Sequence, residues 1–421
     1  MTAKTLAVAM ACLGAAAPST ASVTAVEMTF EEALTAARES PRLVRLAAEV
    51  ERVEAALVGA RALPFNPELA IEAAERRDGT ATSTDHTLSL SQGLELGGKR
   101  GKRRAAAEAS LSAARSVFLQ ARVEALADTA DAFAEAVQRR ERLAVEETEA
   151  ALARAFAAMV ERRLVAGSAT AIDRALAQAG LARAERGLAQ ASGEYRAAQA
   201  RLAETVSLAE GALLEPEGDL PAISAPPALT EVLSTAIEAR GDLRAASDRV
   251  GAAEARLRLA RALRIPDLTV RASSGREEGD EITGLAFSMP IPLFNRGEGP
   301  RAEAQVEVAA AKSELALANF AVRREVAAAH GRLVAAIEAQ KAAERLGVTP
   351  LEEGLTLLER SFEAGKIGAS ELLLYRRELV EGRRQAVAAS SDVWEAAVAL
   401  VVAVGGSLPG IDWIDEDEAK R

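Results

Sequence analysis

Hydrophobic positions along this chain follow two periods, and each stretch of either period occurs twice. From Thr29 to Pro64 apolar residues recur at three- to four-residue steps, the period of an amphipathic helix. Thr29 and Glu32 form a T-x-x-E capping box at its start, Ser40-Pro41 predicts a break, and the helix should end before Pro64. The period then changes to two. Leu69, Ile71 and Ala73 alternate with Ala70, Glu72 and Ala74; after the polar loop 78–85, Leu88, Leu90, Gln92, Leu94 and Leu96 alternate with Ser89, Ser91, Gly93 and Glu95. Two strands of a hairpin are predicted, near 67–77 and 86–96. A Gly-rich turn restores the helical period from Arg103 to Val165, on the order of 90 Å of helix if continuous. Leu152, Phe156, Met159 or Val160, and Leu164 mark a coiled-coil face there. The turn Ala166-Gly167-Ser168-Ala169 then reverses the chain into a returning helix that ends near 210.

The second half repeats the series. Ala60-Arg61-Ala62-Leu63 and Pro67-Glu68-Leu69 are answered by Ala260-Arg261-Ala262-Leu263 and Pro266-Asp267-Leu268, and Leu164-Val165-Ala166-Gly167 by Phe362-Glu363-Ala364-Gly365. Strands are predicted near 267–275 and 282–293, with Leu285, Phe287, Met289, Ile291 and Leu293 on one face. A helix hairpin follows over 299–405, turning at 364–371, with a break at Gly347-Val348-Thr349-Pro350. A repeat this long is a duplicated half rather than a solenoid unit. The division is therefore a first repeat at 26–215 with its helix turn at 166–173, a linker at 216–227, a second repeat at 228–405 and a tail at 406–421.

Four alternating strands allow two arrangements. They form a half-buried sheet against helices, or they cross a membrane with the apolar face to lipid and the small or polar face to a water-filled lumen. Each is long enough to cross a bilayer tilted. Four cannot close alone, because the smallest membrane barrels have eight strands, so the second arrangement requires several chains to share one barrel.

Composition sharpens this picture. Of 421 residues only 3% are aromatic, so bulk for several rounded cores is lacking, and the Ala-, Leu-, Glu- and Arg-rich stretches favour long helices in close contact. Lys4, the apolar run 5–17 and the small residues Val23-Thr24-Ala25 predict a secretory signal peptide over 1–25. Cys12, the only cysteine, lies inside it, so the mature chain is expected to have no disulfide and no thiolate ligand. The preceding Ala9-Met10-Ala11 is a poor lipobox. No later run of about 18 consecutive apolar residues predicts a membrane-spanning helix. A net charge of −11 gives no support to nucleic-acid binding.

Candidate chemistry is sparse. The Gly97-Gly98-Lys99-Arg100-Gly101 run lacks phosphate-loop spacing; with Lys102, Arg103 and Arg104 it reads either as a basic turn reaching lipid head groups or as a solvated one. His86 and His330 lie in different halves, so no metal site is predicted. Carboxylates fall at helical spacing beside arginines, as Glu135 with Arg139, the pattern of a solvated helix surface. No nucleophile stands with a base and no cofactor motif stands in context. Neither a catalytic residue nor a cofactor is expected.

The run Leu88-Ser89-Leu90-Ser91-Gln92-Gly93-Leu94-Glu95-Leu96-Gly97-Gly98-Lys99-Arg100, the preceding Leu63-Pro64-Phe65-Asn66-Pro67-Glu68-Leu69 and the later Pro290-Ile291-Pro292-Leu293-Phe294-Asn295-Arg296 resemble the TolC-type outer-membrane factors. The chain looks most like the CzcC-like branch, which works with resistance-nodulation-division pumps for heavy-metal cations. The resemblance covers essentially the whole mature chain. It implies a mainly α fold with a transmembrane β-barrel portion: a homotrimer sharing a twelve-stranded barrel in outer-membrane lipid, continuing into a twelve-helix periplasmic tube. The function it implies is that of a passive exit duct in a tripartite efflux system, bound to a periplasmic adaptor and an inner-membrane pump. The helix-hairpin tips would form the entrance and meet the adaptor at Ala166, Gly167, Asp173, Ala364, Gly365 and Glu371.

Asp173 and Glu371 carry two compatible readings, as acids at helix N-termini and as a negative ring favouring cations. Around the strands only Phe65, Phe287 and Phe294 are candidates for an aromatic girdle. Alternatives are a duct for organic compounds or type I secretion and, in a different class, a periplasmic coiled-coil scaffold or adaptor whose strands pack on protein.

Overall fold

The computed structural model describes residues 25–78, 81–208, 212–277, 280–345, 349–364 and 366–406. The expected signal segment with Cys12, the tip residue Gly365 and nearly all of the C-terminal tail lie outside the described residues.

The chain opens with a short strand, β1 (Ala25–Thr29), and a capped helix, α1 (Phe30–Arg38). The capping box forms: the Thr29 hydroxyl accepts from the Glu32 N–H, and the Thr29 N–H donates to the Glu32 carboxylate at 3.0 Å. Pro41 starts α2 (Pro41–Arg61), where its missing donor costs nothing. The hairpin β2 (Glu68–Asp78) and β3 (Ala81–Leu94) follows, then α3 (Lys99–Val165) and the returning α4 (Ala171–Thr205). After β4 (Leu213–Glu217) the second half runs α5 (Leu229–Ala239), α6 (Gly241–Ala262), β5 (Leu268–Glu277), β6 (Asp280–Ser288), α7 (Glu298–Ala343), α8 (Thr349–Glu363) and α9 (Ala369–Val404).

The strands form one antiparallel sheet in the order β2-β3-β5-β6. β3 starts at Ala81, five residues before the expected 86, because the polar loop is largely strand. β6 stops at Ser288 rather than reaching 293, where Pro290 and Pro292 remove ladder donors. An element that the alternation did not predict is the parallel pair of β1 with β4, Ala25 opposite Leu213 through Thr29 opposite Glu217.

Below the sheet, α3 packs against α2 on one side and α6 on the other, and α6 packs against α7. Farther along, α3 meets α4 and α9, and α9 meets α7. With 67 residues, α3 is about 100 Å long. Its contact with α4 is built from small residues: Ala177, Ala184, Ala191 and Ala198 of α4 recur every seven positions and are all buried, a spacing that keeps one stripe turned toward a partner helix. Bulkier packing occurs at the level of the short elements and again at the far ends of the long helices. At the former Phe30 meets Phe133 and Trp394 edge-to-face at 5.4 and 6.0 Å, and Leu202 and Leu214 are fully buried.

By length and composition α9 could cross a membrane, with an 18-residue window of mean hydropathy 1.7, although Ser390, Ser391, Asp392 and Glu395 interrupt its apolar run. Much of that stretch is core: Val393, Ala397, Leu400, Val401 and Val404 pack with Val322, Val326 and Leu333 of α7 and with Val232 and Ala236 of α5.

Candidate functional site

Three features bear on function: the exposed face of the sheet, the helix tips and a buried ion cluster above them. On the sheet, strand register brings Leu69 and Ile71 of β2 beside Leu90 and Leu88 of β3, and Val270 and Ala272 of β5 beside Phe287 and Leu285 of β6. On this face Leu69, Ile71, Leu88, Leu90, Leu94, Leu285 and Phe287 are between 43% and 75% exposed, while Leu268 and Val270 of the inner strand β5 are half-buried. On the opposite face the small Ser89 and Ser91 are buried. A contiguous apolar face left open in a sheet is the opposite of what water-soluble packing produces. Phe287 belongs to that face. Phe65 does not: its ring occupies the space that a Cβ on Gly93 would need, 2.8 Å from that position, on the small-residue face. The Gln92 amide holds it there by donating to the Phe65 carbonyl at 3.0 Å.

In the basic turn at the base of the sheet Lys99, Lys102 and Arg103 are bonded inside the chain, whereas Arg100 and Arg104 stay exposed. Lys99 is buried and donates to Asp267 at 2.7 Å, and Asp267 also accepts from the Leu96 N–H. Arg103 grips Glu95 with two hydrogen bonds, Lys102 donates to the Gly97 carbonyl, and Arg104 pairs with Glu108. Gly98 opens α3 from a left-handed conformation (φ 67°), and Gly297 opens α7 in the same way (φ 74°), which favours glycine at both.

At the far end of α3, Ala166 caps the helix, Gly167 turns at φ 73° and the Ser168 N–H donates back to the Arg163 carbonyl at 2.8 Å. Thr170 and Asp173 form a second capping box, with the Thr170 N–H and hydroxyl both 2.8 Å from the Asp173 carboxylate. Those two bonds, the backbone one first, with Arg163 nearby, hold the Asp173 carboxyl below its ordinary range. The second tip differs. Ala364 donates to the Arg360 carbonyl and Lys366 to that of Ser361, but α9 starts at Gly368 without a side-chain cap, and Glu371 is exposed in its first turn.

The two tips are brought together inside one chain. Phe156, Val160, Ala177, Phe362 and Leu372 form a buried cluster. The Phe156 and Phe362 rings lie 5.7 Å apart, Arg163 sits 4.9 Å over Phe362 and Arg376 sits 5.5 Å over Phe156. Of the expected tip residues, Ala166, Gly167 and Ala364 are exposed in the turns.

The feature that sequence reasoning missed lies above the tips. Glu146 of α3 is 1% exposed, yet it carries a carboxylate held by Arg384 of α9 through two 2.8 Å bonds and by Arg142 at 3.0 Å. Gly187 of α4 makes room for it: a Cβ there would lie 2.7 Å from Oε2. Burial pushes the neighbouring Glu149 carboxyl up against the opposing pull of Arg376 and Arg384. The one signal in the sequence was a glycine inside a strongly helical stretch, which marks a close approach. Next to this cluster a polar groove of about 510 Å³ runs between α3, α4 and α9. Its charges are largely paired, Arg201 with Asp131 and Glu135 and Arg139 with Glu194. Among the described residues no group of His, Cys, Asp and Glu has metal-site geometry.

Known proteins share this arrangement. The model of the outer membrane efflux protein family matches residues 34–206 and again 232–406, once per half. The cobalt-zinc-cadmium resistance protein CzcC of Cupriavidus metallidurans is 26% identical over 376 residues, 89% of each chain. The pyoverdine export outer membrane protein OpmQ of Pseudomonas putida is 27% identical over 81% of this chain and 74% of its own. The outer membrane protein VceC of Vibrio cholerae superposes with a TM-score of 0.75 over 90% of this chain and 96% of that one, at 21% identity. The chain belongs to the outer membrane efflux protein family and is an efflux channel protein, not an enzyme.

Proposed function

We propose that three copies of this chain share one barrel in the outer membrane and form the passive exit duct of a tripartite system that expels heavy-metal cations. The observation that carries this reading is the sheet, whose apolar face is uncovered and whose order leaves β2 and β6 at its edges. A membrane resolves both features at once, because lipid covers the apolar face and neighbouring copies pair the edges. The cation substrate is supported by the cobalt-zinc-cadmium resistance relative, which matches nine-tenths of the chain. A duct for organic compounds is the second reading, favoured by the pyoverdine exporter.

In this reading the two repeats, 26–215 and 228–405 joined by 216–227, occupy equivalent places around the axis. The tips at Ala166, Gly167, Ala364 and Gly365 form the periplasmic entrance and meet the adaptor, which couples the duct to a resistance-nodulation-division pump. Asp173 and Glu371, three copies of each, give the entrance a negative field that favours cations. Asp173→Asn with Glu371→Gln is expected to lower the cation selectivity of single channels, and unchanged selectivity would remove the gate role. The primary test is native mass in mild detergent after separation of outer and inner membranes. A trimer in the outer-membrane fraction is expected, with metal sensitivity in a deletion strain. A soluble monomer or dimer would return the strands to a periplasmic scaffold.

A further inference from the structure

The two vacant edges of the sheet, β2 and β6, correspond under the internal repeat to β5 and β3, which pair with each other, and through the strands the repeat keeps one constant shift. Leu69 and Leu268, and Gly98 and Gly297, stand 199 positions apart. The hairpin registers differ by the same shift: Ala70 faces Ser89 and Ile71 faces Leu88 in the first, while Thr269 faces Ser288 and Val270 faces Phe287 in the second. Asp78 opposite Ala81 becomes Glu277 opposite Asp280. Within a chain, β3 is flanked by β2 and by β5, with Ser89 opposite Ser273, Leu90 opposite Ala272, Gln92 opposite Val270 and Leu94 opposite Leu268. β6 has only the first kind of neighbour, and β2 lacks the neighbour that β5 has in β3.

We infer that β6 of one copy pairs antiparallel with β2 of the next copy in the shifted register of the β3–β5 pair, with Ser288 opposite Ala74, Met289 opposite Ala73, Ile291 opposite Ile71 and Leu293 opposite Leu69. This rests on the shared-barrel reading and adds to it which residues meet. Two observations independent of the shift agree. The register joins apolar face to apolar face, since Met289, Ile291 and Leu293 continue the series of Leu285 and Phe287 while Leu69, Ile71 and Ala73 form the apolar side of β2. A slip of one residue would set Ile291 against Ala70 or Glu72 on the other face. The inference also gives Met289, Ile291 and Leu293 a strand partner. In the single chain they follow the end of β6 and are 52%, 75% and 65% exposed. With prolines at 290 and 292, Met289 and Ile291 bring the ladder donors of the stretch, while in the single chain the Leu293 N–H turns back to the Ile291 carbonyl at 2.9 Å.

Cysteine cross-linking tests the register. Directly opposed antiparallel residues have Cα atoms about 4.5–5.5 Å apart, inside the range a disulfide bridges, roughly 4.4–6.8 Å. A two-residue offset opens this to about 7–8 Å. Oxidation of membranes carrying Ser288→Cys with Ala74→Cys is expected to give covalent trimers on a non-reducing gel, and Met289→Cys with Ala73→Cys to do the same from the lipid face. Ser288→Cys paired with Glu72→Cys or Arg76→Cys is expected to give none, and single variants control for Cys12. Cross-linking through an offset pair, in a protein that still runs as a native trimer, overturns the register and leaves the duct standing. Absence of a native trimer in the unsubstituted chain overturns both.

Discussion

The two halves carry the same strand register and the same left-handed glycine before their long helices, yet their surroundings differ throughout. β3 is an interior strand and β6 an edge; α3 runs unbroken for 67 residues, whereas the second half divides the same path between α7 and α8. The first tip is closed by a side-chain cap and the second is not. Duplication therefore fixes backbone geometry, and position in the sheet decides which side chains that geometry can tolerate. Lys99 shows this most clearly. It is buried against Asp267 at the seam inside the chain, while its counterpart at the outer seam is Glu298, facing the counterpart acid Glu68 of the next copy in the proposed register.

The tie between the halves is the place where the comparison breaks hardest. Arg384→Leu leaves Glu146 buried with half its partners and is expected to cost about 3–5 kcal/mol, read as a lowered unfolding midpoint. Glu146→Leu combined with Arg384→Leu should recover most of the loss, since the buried carboxylate is gone and the remaining Arg142 side chain reaches solvent. A double variant as unstable as Arg384→Leu would show that packing, not charge, holds this junction. Next in size is the sheet. Leu285→Arg on the open apolar face is expected to destabilise the membrane-inserted form by about 2–4 kcal/mol, measured by refolding into lipid vesicles, whereas Ser288→Arg on the small face should have little effect. Equal costs on both faces would contradict a lipid-facing side.

The tips give a smaller contrast. Thr170→Ala removes a cap and is expected to cost about 1 kcal/mol of local helix stability, seen as faster amide exchange at the start of α4. Ser370→Ala should leave α9 unchanged. The Asp173 carboxyl lies below its ordinary value when folded, so its contribution is complete above the unfolded carboxylate pKa, near 3.9, and disappears as pH falls through the lower folded value. Acidification below about pH 4 should therefore loosen the first tip, in an Asp173-dependent manner. Smallest of all, Glu298→Lys restores at the outer seam the charge pairing of the inner one and should raise trimer stability by roughly 0.2–1 kcal/mol. A decrease would place Glu298 away from Glu68.

Much of this fold was legible in sequence because its elements are long and strictly periodic. Alternation at Leu69, Ile71, Leu88 and Leu90 identified the sheet and its faces, and Thr29 with Glu32 identified a helix start. What escaped has physical reasons. β1 and β4 span five residues each, too few for alternation to be read, and they pair across almost 190 positions. The Glu146 cluster joins residues 238 apart, and on its own helix Glu146 is one more acid four residues from an arginine. The internal pairing of Lys99 and Arg103 escaped because their partners, Asp267 and Glu95, carry no mark in the local pattern. At the first tip, local position sufficed to place Asp173 in the first turn of a helix, while its capping box with Thr170 was read only from the structure.

The open apolar face of the sheet also has a consequence in time. In the proposed duct, a chain that covers this face with lipid and closes its edges with two other copies must cross an aqueous compartment before either is available. Its productive step is then of higher than first order in chain concentration, and it competes with edge-to-edge association of the same strands into aggregates. Yield of the assembled form should consequently pass through an optimum as expression rises, and whatever shields Leu285 and Phe287 of β6 during transit sets where that optimum lies.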